Sequence, residues 1–357
     1  MVEHPQSLTT PIEATVLDPT NRHVLAPHVA AAAAELPITP ADERWFGPSL
    51  PGILQVLTDR RVLRRRPTGW YWARSDRPGD HVSLRGIGEV VSIVEGRTGR
   101  VVGTIDEASA HAQVHTGAVH VHQGETYVVA ELDLPSATAT VVRGDPGWST
   151  TASSTSAFDV LSVDETLRFG PITVSRGSVR VRRQVVSFLR RLPRGEILGI
   201  HPLDLPEQVL GTRAVWWTLD AESAAAAGVP EADLPGALHA AEHASIGVLP
   251  LLATCDRWDI GGVSTALHPD TDLPTVMIYD GHPGGAGFAD RAYQVMRDWT
   301  HLTLDVVGSC GCADGCPRCV QSPKCGNGNE PLEKLGAAKL LEVLLTSLPS
   351  EASEARS

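Results

Sequence analysis

No run of eighteen apolar residues occurs in the 357-residue chain, so no helical membrane span is expected. The first residues, MVEHPQSLTTP, lack a basic start followed by an apolar stretch, and no signal peptide is expected either. No GxxxxGK[ST] phosphate loop and no DEAD- or DEAH-like acidic box occurs, which leaves these residues without the parts of a nucleotide-driven motor. Lysine is almost missing: Lys324, Lys334 and Lys339 are the only ones, so arginine makes up nearly all of the 30 basic residues. Aromatics are scarce at 5%, yet eight of them are Trp. Positive charge is short overall. The formal net charge of −12 argues against a general polyanion-binding surface, so any nucleic-acid contact must be local.

What remains is a charged, well-mixed composition long enough for two or three domains. Residues 1–78 read as helices followed by a hairpin. Ala26–Leu36 is rich in helix formers, Thr39-Pro40 opens a short helix, and Leu50–Asp59 carries an apolar stripe at Ile53, Leu54 and Leu57. Val62–Arg66, a Pro-Thr-Gly turn and Trp70–Arg74 then read as strand, turn and strand, the pattern of a winged helix. Residues 79–145 alternate as short strands around Gly-containing turns and predict a small barrel or curled sheet. Residues 146–347 start with a Ser/Thr-rich linker, WSTTASSTS, and continue through the strands Val179–Leu192 and Thr212–Leu219. A helix over Ala237–Ala253, a buried strand over Pro274–Asp280 and a glycine loop over Asp280–Gly287 follow. A long helix over Phe288–Val307 and a last one from about Glu330 to Ser347 complete it. Residues 348–357 read as a disordered tail. The fold class is therefore α+β and multidomain: a winged helix, a small β-barrel-like domain and a mixed α/β domain.

Five of the six cysteines lie between 310 and 325. Cys316 and Cys319 form a C-x-x-C knuckle, the spacing that lets two thiolates reach one tetrahedral zinc. Cys310 and Cys312 lie just upstream, with Gly311 and Gly315 to let the backbone fold back. Cys310, Cys312, Cys316 and Cys319 close the tightest loop; Cys325 in place of Cys312 is the alternative. A full set of thiolates leaves no open position, so the expected role is structural. His239-Ala-Ala-Glu242-His243 has the H-x-x-E-H spacing of inverted zinc peptidases, with both imidazoles on one helix face. Nothing nearby in sequence is an obvious third ligand. The Asp280–Gly287 loop joins a strand to a helix N-terminus, a place where phosphate can bind, or simply a tight turn. Arg60, Arg61, Arg64, Arg65, Arg66 and Arg74 are interleaved with Trp70, Tyr71 and Trp72, a mixture suited to phosphate neutralisation and base stacking. A second basic segment, Arg176–Arg194, includes Arg182 and Arg183.

DGHPGGAG at 280–287 and CGCADGCPRCVQSPKCGNGNEPLEK at 310–334 resemble the C-terminal zinc-binding domain of the mitomycin-repair helicase family (MrfA/YprA-like). Leu238–Ala244 and Thr212–Trp217 resemble that domain too, and Glu13–Leu36 with Arg65–Arg74 resembles the winged helix that follows the motor. The resemblance spans about residues 10–345. It implies an ATP-dependent 3′–5′ DNA helicase family acting in bacterial DNA repair, whose RecA-like motor these residues do not contain. ATP and Mg²⁺ would then act only through a motor supplied in cis or in trans, and ATP hydrolysis by this chain is not expected. The implied zinc ligands are Cys310, Cys312, Cys316 and Cys319. The expectation is a non-catalytic, zinc-stabilised region that binds DNA, preferentially single-stranded, in the bacterial cytoplasm. The rivals are an H-x-x-E-H zinc hydrolase and a protein-interaction adaptor.

Overall fold

In the computed structural model the chain is described over residues 15–82 and 90–349. It opens with a winged helix. Helix α1 (Arg22–Glu35) is capped by Asn21, whose side chain accepts the His23 N–H. Helices α2 (Glu43–Phe46) and α3 (Leu50–Asp59) follow, then the hairpin β1 (Leu63–Arg66) and β2 (Gly69–Trp72). The apolar stripe of α3, now seen as Leu50, Ile53, Leu54 and Leu57, packs on Val29, Ala30 and Ala33 of α1 and on Leu63. Ile38 bridges the hairpin by exchanging backbone hydrogen bonds with Trp70. Gly69 makes that approach possible: a Cβ there would lie 2.4 Å from the Ile38 carbonyl oxygen.

The second unit is a five-stranded sheet in the order β4-β3-β7-β6-β5, curled into a half-barrel. Its elements are β3 (Val90–Glu95), β4 (Val101–Asp106), α4 (Glu107–Gln113), β5 (Val119–His122), β6 (Glu125–Asp133) and β7 (Thr138–Arg143). β3 and β7 run parallel and the other pairs antiparallel. Inward-facing Val91, Ile93, Tyr127, Val129, Ala139 and Val141 meet Ala110 of α4 and Val114 just beyond it in a separate small core.

The third unit is built on a long ribbon. Strands β8 (Ser149–Phe169) and β9 (Ile172–Arg191) pair antiparallel along nearly their whole length. The other edge of β9 is shared: β10 (Ile197–Pro202) takes one end and β11 (Gln208–Leu219) the other. Short α5 (Ala221–Ala226), then α6 (Leu234–Val248) and α7 (Pro250–Ala253), lead to β12 (Ile260–Thr265) and β13 (Thr275–Asp280), which extend the sheet beyond β11. Helices α8 (Phe288–Gln294), α9 (Met296–Ser309) and α10 (Lys334–Ser347) complete the layer. Helix α6 is buried on nearly all sides, between the sheet and the α9–α10 pair, so its Ala-rich sequence is that of a central helix.

Three expectations change here. The Ser/Thr-rich stretch expected as a linker is the first half of β8. Its residues alternate across the ribbon, and β9 satisfies their backbone groups. The single helix expected over Phe288–Val307 breaks at Val295, which leaves helical geometry at φ −107 and ψ 25. No proline or glycine is involved. The two halves are tied to different partners, Arg291 to the Leu252 carbonyl and the Trp299 indole to the Ser245 carbonyl. The last helix starts at Lys334, where the Glu333 side chain accepts the Leu335 and Gly336 N–H groups. Most of the tail expected from 348 onward lies outside the described residues.

Candidate metal centre and nucleic-acid interface

The cysteine cluster sits where α9 ends and the loop toward α10 begins. Cys310 ends α9 as its C-cap, and Cys316 and Cys319 face each other across a turn closed by the Cys319 N–H bonding the Cys316 carbonyl. The ligand atoms of Cys310, Cys312, Cys316 and Cys319 all lie within 4.8 Å of one another. The Sγ separations are 3.6 Å (310–312), 3.5 Å (310–316), 3.5 Å (312–319) and 3.8 Å (316–319). Zinc–thiolate bonds of about 2.3 Å give a tetrahedron whose sulfur–sulfur edge is about 3.8 Å, so the cluster has the size that zinc requires.

The surroundings suit a negatively charged tetrathiolate. Lys334, buried at the start of α10, donates to the Cys310 and Cys312 carbonyls at 2.6 and 2.7 Å and stands 3.5 Å from the Cys312 Sγ. The Cys316 N–H points at the Cys319 sulfur. The Cys310 thiol is drawn down to about 6 by the Cys312 backbone N–H first and then by the thiols of Cys316 and Cys312, whereas burial pushes Cys319 up to about 11. Four sulfurs packed this closely are disposed to share one divalent cation.

Cys325 stands apart from this group. Its sulfur is 3.5 Å from Nε2 of His239, and with His239 and His243 it forms a second cluster of ligand-type atoms. The sequence reading found no third partner for the two histidines. The only signal was arithmetical, since Cys325 is the fifth cysteine of a four-thiolate site. The glutamate of the H-x-x-E-H pattern is buried toward β12, where a Cβ on Gly262 would come within 2.6 Å of its Oε1. Burial pushes the Glu242 carboxyl up to about 7, opposed by a hydrogen bond with Ser264. A base for hydrolysis needs access to a substrate, and this carboxyl has a strand against it.

The glycine loop is a closed turn. Asp280 is fully buried, and its Oδ2 accepts the N–H groups of Ala286 (2.6 Å), Gly287 (2.9 Å) and Phe288 (3.3 Å), while Oδ1 accepts that of Ala289 (2.7 Å). The donors at the start of α8 that a phosphate would use are therefore bound to the protein's own carboxylate. Burial raises the Asp280 carboxyl, and the N–H groups of Ala286, Ala289 and Gly287 pull it back. Asn21 clamps the loop from the other side, donating to the Pro283 carbonyl at 2.8 Å and to that of Gly285. One asparagine thus caps α1 of the winged helix and fixes the loop of the α/β unit.

The wing gathers arginine on an exposed hairpin. Arg60 and Arg61 stand at the C-terminal end of α3, Arg64, Arg65 and Arg66 form β1 beyond Leu63, and all five are exposed. Among the described residues none of the five pairs with a carboxylate. The register Leu63↔Trp72, Arg64↔Tyr71, Arg65↔Trp70 decides which way each side chain points. Trp70 and Trp72 share the face of Leu63 and pack half-buried on the winged-helix core, with the Arg65 guanidinium 5.1 Å from the centre of the Trp70 ring. Tyr71 shares the other face with Arg64, a placement that follows from strand alternation. The second basic segment is differently placed. Arg182 donates to Asp159 at 2.6 Å, Arg183 donates to the Ser154 hydroxyl at 3.3 Å, and both are half-buried in the ribbon.

Comparison with known proteins matches two parts of the chain to family models: residues 241–320 to the MrfA Zn-binding domain, and residues 17–87 to the winged helix domain of the ATP-dependent helicase HRQ1. The chain is 29% identical over 326 residues to the uncharacterised ATP-dependent helicase YprA of Bacillus subtilis (strain 168), covering 90% of this chain and 43% of that protein. It is 38% identical over 112 residues to an uncharacterised protein of Methanocaldococcus jannaschii, covering 30% of this chain and all of that protein. Among solved structures, the helicase MrfA bound to DNA is similar with a TM-score of 0.58 and 29% identity, covering 98% of this chain and 46% of that one. The chain therefore spans less than half the length of these helicases.

Proposed function

This chain belongs to the MrfA/YprA helicase family, as that family's winged-helix and zinc-binding C-terminal region, and from that premise we propose that it guides single-stranded DNA for an ATP-driven 3′–5′ repair helicase motor held in cis or in trans. The observation that carries this reading is the wing. Five exposed arginines, two at the end of α3 and three on β1, have no carboxylate partner among the described residues, in a chain whose net charge is −12. Helix α3, the usual reader of base edges in a winged helix, carries no basic residue at all in LPGILQVLTD. Contact through the wing is therefore contact with phosphates, which is independent of sequence and suits a helicase. Half-buried Trp70 and Trp72 offer edges, and Tyr71 an outward ring, against which an unpaired base can stack. Arg182 and Arg183 take a smaller share, because each must first give up the partner it has in the ribbon.

In this reading Cys310, Cys312, Cys316 and Cys319 hold the structural zinc. When bound, the metal supplies a cross-link and no open coordination position. Lys334 ties that cross-link to the first turn of α10, so the end of α9 and the start of α10 are held together around it. The −12 charge keeps the intrinsic affinity for DNA modest and leaves the wing as its main determinant.

The test is fluorescence anisotropy with a single-stranded oligonucleotide over a series of salt concentrations. Each arginine that neutralises a phosphate contributes roughly 0.7 to the log–log salt slope. An Arg64/Arg65/Arg66→Ala triple variant is expected to bind more weakly and to lower the slope by about 2. Equal affinity and equal slope for the two proteins would refute the wing as the contact.

A further inference from the structure

The cluster left unexplained by the zinc tetrad is His239, His243 and Cys325. Two of the three lie outside the residues matched to the zinc-binding family model, which run from 241 to 320. We infer that Nε2 of His239, Nε2 of His243 and Sγ of Cys325 form a second metal site, which takes a zinc-class divalent ion and fastens the loop after the cysteine tetrad to helix α6.

Four observations support it. First, His239 and His243 are one turn apart on α6, so both imidazoles emerge on one face, with ring centroids 4.2 Å apart. Second, each ring is oriented through its other nitrogen: Nδ1 of His239 bonds the Pro331 carbonyl at 2.8 Å and Nδ1 of His243 bonds the Val320 carbonyl at 2.9 Å. A carbonyl can only accept, so both rings carry their proton on Nδ1 and present the Nε2 lone pair, the outer-shell arrangement that metal-ligating histidines use. Third, the spacing is right. The 3.5 Å from Cys325 Sγ to His239 Nε2 matches the sulfur–nitrogen edge of about 3.6 Å in a tetrahedron with zinc bonds of about 2.3 and 2.0–2.1 Å. Fourth, the Cys325 sulfur accepts the Asn329 N–H at 3.2 Å, as the Cys319 sulfur in the tetrad accepts that of Cys316 at 3.3 Å.

The loop around Cys325 is already shaped for this. Asn329 adopts a left-handed conformation at φ 67, and its side chain spans the loop, accepting the Ser322 N–H at 2.7 Å and donating to the Ser322 carbonyl at 3.1 Å. Three protein ligands leave a fourth position, which water fills. The Glu242 carboxyl is buried against β12 and bonded to Ser264, so it offers no accessible base there, and the site is a staple and not a hydrolase centre. Its location gives the staple a purpose. Residues 320–333 are the only covalent link between the tetrad and the cap of α10, and the second ion fixes their middle to the central helix.

The inference is independent of the tetrad, and metal content separates the two. The 357-residue protein is saturated with zinc, passed through a desalting column and measured by elemental analysis together with protein concentration. Wild type is expected to hold two zinc ions, and His239→Ala, His243→Ala and Cys325→Ser are expected to hold one each. Cys316→Ser is expected to lose the tetrad ion and keep the other. In cobalt-loaded protein, Cys325→Ala is expected to remove about one fifth of the thiolate-to-metal charge-transfer absorbance, since one thiolate of five is lost. One zinc in the wild type, or two retained in Cys325→Ser and His239→Ala, overturns the site. Should a variant fail to fold, the wild-type count alone decides.

Discussion

Removing the Asp280 carboxylate is expected to unfold the α/β unit before the rest of the molecule. The side chain is fully buried and receives four backbone N–H groups from Ala286, Gly287, Phe288 and Ala289. In Asp280→Ala these donors lose their acceptor inside the protein, and a buried donor without a partner costs about 1–3 kcal/mol. The four sum to about 4 kcal/mol at the low end, where the loop relaxes or admits water, and to about 12 if it stays rigid. Against the 5–15 kcal/mol typical of a whole domain, the lower figure removes roughly a quarter to four fifths of the margin and the upper figure most or all of it. Asp280→Asn is the informative partner. Its oxygen can keep the three donors now on Oδ2, but its amide then faces the Ala289 N–H, so a cost of about 2–3 kcal/mol is expected, less than for Ala. Urea unfolding followed by tryptophan fluorescence reads the effect, because Trp216 and Trp217 of β11 lie directly opposite Met277 and Val276 of β13. Hydrogen exchange of the 281–289 segment reads it locally. The reasoning is refuted if Asp280→Ala unfolds within 1 kcal/mol of the wild type and the amides of Gly287 and Ala289 keep their protection.

Three more outcomes are expected. Cys316→Ser and Cys312→Ser should each release the tetrad zinc and lower the melting temperature of the C-terminal unit, measured by elemental analysis and calorimetry, while Cys325→Ser should spare that ion. Asp290, although partly buried, is held below the ordinary carboxylate value by hydrogen bonds from Arg213 at 3.0 Å and Arg176 at 2.6 Å. A carboxyl with a depressed folded pKa stabilises above its unfolded value of 3.8 and loses that contribution as pH falls through the folded value, so acid unfolding profiles should steepen below about pH 4 and Asp290→Asn should flatten that limb. Gly69→Ala should loosen the wing from Ile38, since φ is +139 and the new Cβ meets the Ile38 carbonyl oxygen at 2.4 Å; faster exchange of the Trp70 and Ile38 amides would show it, and unchanged exchange would count against the packing described.

Local spacing alone determined a good part of this protein. The C-x-x-C knuckle and its upstream pair need only a few bonds of chain to close, so the tetrad was legible as a set. The apolar stripe of α3, the Pro-Thr-Gly turn and the alternating runs between 90 and 143 announced the winged helix and the curled sheet for the same reason: their periodicity is set by backbone geometry within one element. Tertiary structure decided what depends on distant partners. Pairing with β9 turned a Ser/Thr-rich stretch that reads as a linker into one of the longest strands of the sheet. Register turned Trp70 and Trp72 inward and Tyr71 outward, and brought Asp159 to Arg182 across the ribbon. Burial gave the glycine loop's N–H groups to Asp280, 6–9 residues away, and so closed a turn that resembles a phosphate site. Cys325 meets His239 across 86 residues of sequence, a separation at which no spacing rule operates, because the contact is set by how α6 packs under the loop and not by the chain between them.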